Sequence, residues 1–179
     1  MLLNYSPALA AKRVALVIGN GSYRSAPLDN PVNDAADVAA VLNRLGFEVI
    51  LYQDADKRKM VKALRDFGKK LADSKIGLFY YAGHGMQIDG VNYLIPVNNS
   101  IQESSEVEFE AIDAGRILAK MENSGNPMNI VILDACRDWG VTHLDTANVY
   151  GMGKSERAIG SYLRANPGAR EDFVIATKA

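Results

Sequence analysis

The residue types needed for acyl transfer occur at two places in this chain. His84 follows Tyr80-Tyr81-Ala82-Gly83 and is backed by Gly85, and Cys136, the only cysteine, follows Ile130-Val131-Ile132-Leu133-Asp134-Ala135. A free thiol titrates near ~8.5 and becomes a working nucleophile when a neighbouring imidazole takes its proton. Backbone amides of Gly85 and Cys136 would then receive the oxyanion of an attacked carbonyl. The plainer reading of the same residues is a cysteine buried as a small hydrophobe and a histidine that ends a strand. Beyond Cys136 the layout repeats: Thr142-His143-Leu144 leads to Asp145, then Tyr150, then an amphipathic stretch and a further apolar run ending in Lys178.

Placing His84 and Cys136 together requires a parallel sheet. Apolar runs of strand length at residues 14–18, 48–52, 76–82, 130–135, 141–146 and 173–177 alternate with helix-period segments, the pattern of a sheet covered on both faces. Both residues fall at the carboxyl ends of their runs, where open α/β sheets keep their sites, and neighbouring strands lie about 5 Å apart. A first helix starts at Asn30-Pro31, places Ala35, Val38, Ala39, Leu42 and Leu45 on one face and stops at Gly46. A second starts near Asp56 and buries Met60, Leu64, Phe67 and Leu71. A third lies near residues 113–121 with Ala114, Ile117, Leu118 and Met121, and a fourth near residues 155–163. Asp89-Gly90 between Ile88 and Val91 predicts a two-residue hairpin, and residues 98–106 read as an exposed loop.

Composition narrows the class. The 179 residues suit one domain, and a net charge of −1, with 20 Lys+Arg and 21 Asp+Glu, gives no electrostatic reason to expect nucleic acid. One cysteine excludes an internal disulfide framework. Residues 1–12 form a tail in which Ala8-Leu9-Ala10 looks like the end of an export signal, without a charged start or a long apolar segment. No apolar run approaches the roughly 18 residues of a membrane helix, so a soluble protein, cytoplasmic as expressed and with a possible exported origin, is expected. Gly19-Asn20-Gly21-Ser22-Tyr23-Arg24 imitates the start of a dinucleotide fingerprint, but Arg24 stands where its third glycine belongs.

Four stretches carry a resemblance: RVALVIGNGSY, NPVNDAADVAAVLNRLGF, FYYAGHGMQIDGVNYLIPVN and ILDACRD. Over about residues 13–137 the chain resembles the large-subunit region of caspase-like cysteine peptidases, in particular the bacterial relatives of metacaspases. The separation of His84 and Cys136 agrees with the roughly 50 residues between those positions in caspases. The resemblance implies that His84 is the general base and Cys136 the nucleophile of an endopeptidase. It also implies that Asp34 and Asp134 form an acidic pocket for Arg or Lys before the scissile bond, as a carboxylate pair facing a guanidinium would. The Gly19–Arg24 loop would line that pocket.

From about residue 140, GVTHLDTANVYGMGKSERAIGSYLRANPGAREDFVIATKA resembles a strand-helix-strand fragment of the aldo-keto reductases. That resemblance implies three reductase positions, Asp145, the proton donor Tyr150 and Lys178. The reductase histidine and the rest of a barrel of ~250 residues are absent, so these positions read as vestigial and no working oxidoreductase is expected. The chain therefore reads as an engineered chimera, with a caspase-like segment at 13–138 completed by a reductase segment at 139–179 in one domain. The expected architecture is a three-layer α/β sandwich on a six-stranded, mainly parallel sheet of flavodoxin-like order 2-1-3-4-5-6. Its last two strands come from the barrel fragment. Three functions follow: a caspase-like cysteine endopeptidase acting on peptides, an inactive chimeric scaffold, or, least favoured, an NADPH-dependent reductase. No cofactor or metal is expected, nor any nucleic-acid or membrane partner. A monomer is favoured, because the edge strand through which caspases pair is missing.

Overall fold

The computed structural model describes residues 12–135 and the backbone of two further strands, Thr142–Ala147 and Phe173–Lys178. Four parallel strands form the main sheet: β1 (Arg13–Gly19), β2 (Phe47–Gln53), β3 (Ile76–Gly83) and, later in the chain, a strand at Met128–Ala135. The order is β2, β1, β3, then Met128–Ala135, which is the predicted order 2-1-3-4. β1 and β3 are buried on both faces, which explains why both read as unbroken apolar runs rather than alternating ones.

Helices cover the two faces. α1 (Pro31–Arg44) packs Ala35, Ala39 and Leu42 on Ala15, Val17, Leu78, Tyr80 and Ala82. Pro31 sets its first turn, while the Asn30 side chain makes no cap bond, and Gly46 ends it with a φ of 79°. Leu45, expected on the buried face, lies at the C-cap and is 55% exposed. α2 (Lys57–Leu71) is capped by the Asp56 side chain, which accepts from the Lys59 amide at 2.7 Å. It buries Met60, Ala63, Phe67 and Leu71 against Val14, Leu16, Ile18, Phe79 and Tyr81, with Leu64 half-buried at the margin.

The Asp89-Gly90 hairpin joins β4 (Gly85–Ile88) to β5 (Val91–Leu94). Asp89 and Gly90 have φ of 50° and 79°, both positive, as a type I′ turn requires. The segment expected as a plain loop contains a 3₁₀ turn, Ser104–Glu106, closed by a capping box between Glu103 and Glu106. A short helix, α3 (Val107–Glu110), and a two-residue strand, β6 (Ile112–Asp113), follow, and β4, β5 and β6 make a separate antiparallel sheet. α4 (Ala114–Glu122) then buries Ile117 and Met121 on the α2 side and leads to β7 (Met128–Ala135).

The six-stranded sheet is not what forms. β8 (Thr142–Ala147) pairs in parallel with β9 (Phe173–Lys178), and these two make a sheet of their own. Chain length explains it: only residues 136–141 separate β7 from β8. A parallel neighbour needs a crossover of about a dozen residues or more, so β8 cannot follow β7 as the next parallel strand. β8 instead runs close to β7 without extending its ladder among the described residues. The expected helix near residues 155–163 lies outside the described residues.

Candidate active site

β3 and β7 are parallel partners with Ala82 opposite Asp134 and Gly83 opposite Ala135. The chain thus leaves β3 into His84 at the level where it leaves β7 towards Cys136. Cys136 itself lies outside the described residues, so the thiol and its oxyanion amide are not located. Gly85, the other expected oxyanion donor, directly follows His84 and opens β4.

His84 is half-buried and held at both its ring and its backbone. Its Nε2 lies 2.7 Å from the Ala26 carbonyl oxygen. A carbonyl only accepts, so Nε2 donates in this contact. The Tyr23 ring packs against the imidazole with centroids 4.4 Å apart. The His84 amide donates to the Tyr23 hydroxyl at 3.0 Å, and that hydroxyl lies 2.9 Å from the Ile95 carbonyl and 3.1 Å from the Tyr81 hydroxyl. Tyr81 in turn lies 2.8 Å from the His84 carbonyl and 2.9 Å from that of Ile95. Burial, first, and the adjacent Tyr23 hydroxyl hold the Tyr81 phenol well above its ordinary value, so it stays a neutral donor.

Gly83 makes this crossing possible. Its φ is 154°, and a Cβ there would stand 2.7 Å from the hydroxyls of both Tyr23 and Tyr81. Any larger residue would displace the two groups that hold His84.

The Gly19–Arg24 loop has its own internal anion. The amides of Gly21 and Ser22 donate to Asp54 Oδ1 at 2.9 and 2.8 Å, and the Ser22 hydroxyl donates to Oδ2 at 2.7 Å. Burial raises the Asp54 carboxyl, but the hydrogen bonds from Ser22 and Gly21 outweigh it and hold the group below the usual range. The donors that a dinucleotide phosphate would need are therefore taken by a carboxylate from the end of β2. Asn20, fully buried, braces the same loop by accepting from the Ala55 amide at 2.8 Å and donating to the carbonyls of Ala55 and Ile95 at 3.2 and 3.3 Å.

The two carboxylates expected in the substrate pocket both raise the pKa of one tyrosine, Tyr80. Asp34 lies in the first turn of α1 and is half-buried, and Asp134 is exposed near the end of β7. The Tyr80 phenol feels the charges of Asp134 and Asp34. Burial, then the charges of Asp134 and Asp34, push that phenol well above its ordinary value. A cationic side chain could face both carboxylates here.

Of the reductase-like positions, Asp145 is on β8 opposite Ala176, Lys178 is on β9 opposite Ala147, and Tyr150 lies outside the described residues. Among the described residues no group of three or more His, Cys, Asp or Glu could hold a metal ion, and no helix is long and apolar enough to cross a membrane. A groove of about 740 Å³ between α2, α3 and α4, reaching Lys57, Phe109 and Arg116, lies on the sheet face away from Asp34 and Tyr80. Sequence reasoning did not reach Tyr23, Tyr81 or the Ala26 carbonyl. The tyrosines left a signal as polar-tipped residues inside apolar runs, whereas a backbone carbonyl leaves none.

The profile of the caspase domain family matches residues 12–177. The mucosa-associated lymphoid tissue lymphoma translocation protein 1 of Homo sapiens is 34% identical over 130 residues, covering 72% of this chain and 15% of that protein. The chain is thus matched to a small part of this much longer relative. The D-threo-aldose 1-dehydrogenase of a Pseudomonas sp. is 44% identical over 48 residues, 27% of this chain and 14% of that enzyme. The fold is similar to that of the Drosophila initiator caspase Dronc, with a TM-score of 0.52 at 12% identity, over 70% of this chain and 48% of that one.

Proposed function

Because this chain belongs to the caspase domain family, we propose that it is a cysteine endopeptidase in which His84 and Cys136 form the catalytic pair and an arginine or lysine precedes the scissile bond. The observation that carries this reading is the β3–β7 register, in which Gly83 and Ala135 are direct partners and His84 and Cys136 are the next residues along. The contact of Nε2 with the Ala26 carbonyl adds to it, since a carbonyl only accepts and Nδ1 is then the nitrogen that would take the thiol proton.

In this mechanism the Cys136 thiolate attacks the substrate carbonyl, and the oxyanion is received by the amides of Gly85 and Cys136. The intermediate collapses with loss of the amine, which leaves with the proton held by His84, and a thioester remains. Water, deprotonated by His84, then releases the acid and restores the thiol. Asp34 and Asp134 hold the basic side chain of the substrate. The test is cleavage of a fluorogenic peptide with arginine before the reporter, compared with the Cys136→Ala variant. Equal rates would reject the reading.

A second reading is a folded but inactive scaffold, in which residues 139–179 are a reductase segment joined to a caspase-like segment. It draws on the short match to the aldose dehydrogenase and on the separate pairing of β8 with β9. Cooperative unfolding without turnover of an arginyl peptide would favour it. A reductase function has the least support, since the match covers 14% of the dehydrogenase, and lack of NADPH binding would end it.

A further inference from the structure

We propose that the groove between α2, α3 and α4 docks an acidic segment of a partner protein, a stretch in which carboxylates flank a large apolar side chain. The groove lies on the sheet face away from Asp34 and Tyr80, and the proposal stands whether or not the chain is a peptidase.

The argument begins with α2, which carries two stripes at helical spacing. Met60, Ala63, Phe67 and Leu71 are buried against the sheet, whereas Lys57, Val61, Leu64 and Arg65 line the groove. Across from them stand Arg116, Ile117 and Lys120 of α4, with the same three- and four-residue spacing, and Asp113, which caps that helix. Phe109 of α3 supplies a further wall. It is 68% exposed and Val61 is 40% exposed. Single exposed apolar residues are ordinary on a protein surface, but these two share one concavity of about 740 Å³ with Leu64 and Ile117. The groove thus offers apolar surface that nothing among the described residues covers.

Charge selects the occupant. The whole chain has a net charge of −1, yet α2 holds seven of its 20 Lys and Arg and a single acid, Asp66. Lys62 and Lys69 take up Asp66 at 2.8 and 4.0 Å, and Lys70 pairs with Glu48. The groove receives Lys57, Arg65, Arg116 and Lys120 against Glu108 and Asp113. Asp113 is committed to its own helix, accepting from the Gly115 amide at 2.7 Å and lying 3.5 Å from Arg116. Among the described residues Arg65 and Lys120 form no ion pair. Lys57 donates to the Phe109 carbonyl, which ties α3 to the start of α2, and the Lys120 stem lies against Gly68, where any Cβ would displace it. Lys57 and Gly68 are about three helical turns apart, so cations stand at both ends of a groove about 16 Å long, with Val61, Leu64 and Ile117 between them. About five residues of extended peptide span that length, acids at the ends and an apolar residue in the middle. A nucleic-acid backbone or a membrane surface brings phosphates but no apolar side chain to fill the concavity, so a peptide fits it better.

The probe is a fluorescein-labelled hexapeptide with two acidic residues on each side of a Leu-Phe pair, titrated against the whole chain by fluorescence anisotropy. Two controls accompany it, one with Gln and Asn in place of the acids and one with Ser-Ser in place of Leu-Phe. The acidic peptide should bind about ten-fold or more tightly than either control, and its affinity should fall as salt is raised. Arg65→Glu/Lys120→Glu should weaken it about ten-fold and Phe109→Ala about three-fold. These three side chains are exposed, so the urea midpoints of the variants should stay with the parent. No saturable binding, equal binding of the acidic peptide and either control, or unchanged affinity in Arg65→Glu/Lys120→Glu would overturn the proposal. Tighter binding of duplex DNA or of phosphatidylserine vesicles than of the peptide, lost in the same double variant, would assign the surface to a phosphate-bearing partner and overturn it as well.

Discussion

Replacing Tyr23 by Phe should cost more than replacing Tyr81 by Phe, although both remove one buried hydroxyl from the same cluster. The difference lies in what each leaves behind. Tyr23 is the acceptor for the His84 amide at 3.0 Å, and its removal takes that acceptor away. Tyr81 contacts the carbonyls of His84 and Ile95. Both keep other donors, the Ile95 amide at 3.0 Å for His84, and Tyr23 and Asn20 for Ile95. A donor that loses its acceptor costs about 1–3 kcal/mol, and an ordinary net hydrogen bond about 1 kcal/mol. Tyr23→Phe should therefore lose about 2 to 3 kcal/mol and Tyr81→Phe about 1 kcal/mol. With a urea m-value of about 2 kcal/mol/M, the midpoints should fall by about 1 M and about 0.5 M. The Phe ring keeps its packing on His84, so the comparison isolates the hydroxyl. In the arginyl peptide assay Tyr23→Phe should also lower kcat/KM by about ten-fold or more, since a displacement near 1 Å at a catalytic group costs about 100-fold. Equal midpoints for the two variants, or a larger loss for Tyr81→Phe, would refute the account of how His84 is held.

Gly83→Ala should destabilise by about 2–4 kcal/mol in urea melts, because its Cβ would stand 2.7 Å from two buried hydroxyls. Phe67→Ala, at a fully buried site beneath α2, should cost about 3–5 kcal/mol with the m-value unchanged. Asp54 has a folded-state pKa below its ordinary value, so its contribution to stability is present above about pH 4 and lost as pH falls through the lowered folded value. Asp54→Asn should therefore be less stable than the parent at pH 7, and the gap between their urea midpoints should close as the pH is taken below about 4. A gap that is constant with pH would show that the carboxylate charge contributes nothing.

Local chemistry made much of this fold readable in advance. Asp56, Pro31, Gly46 and the Asp89-Gly90 pair each act through their own backbone geometry or nearest amides, and each marks its boundary. The parallel sense of the four main-sheet strands followed from runs long enough for buried strands and from connections long enough for crossovers, whereas their order was expected from the resemblance. The six-stranded expectation failed where the connection is shortest, residues 136–141, because two apolar runs in succession say nothing about pairing until the chain between them is counted. The site was readable only in part. His84, Asp34 and Asp134 carry charge or titratable groups in recognisable surroundings. The groups that hold the imidazole are Tyr23, Tyr81 and the Ala26 carbonyl, which reach it across up to 61 positions of sequence. The loop resembling a nucleotide fingerprint needed Asp54, from the far end of β2, to reveal that its amides are already satisfied.

The same distances bear on which of the two functional readings holds. Every contact described for His84 comes from residues between Tyr23 and Ile95, and the Asp34–Tyr80–Asp134 cluster is assembled within β3, α1 and β7. In the peptidase reading the C-terminal segment bears on catalysis through Cys136, which directly follows β7 in sequence. A peptidase and an inactive scaffold would share the described contacts of His84. They differ at the approach of Cys136 to Nδ1 of His84, and this is why the Cys136→Ala comparison, rather than any measurement of stability, separates them.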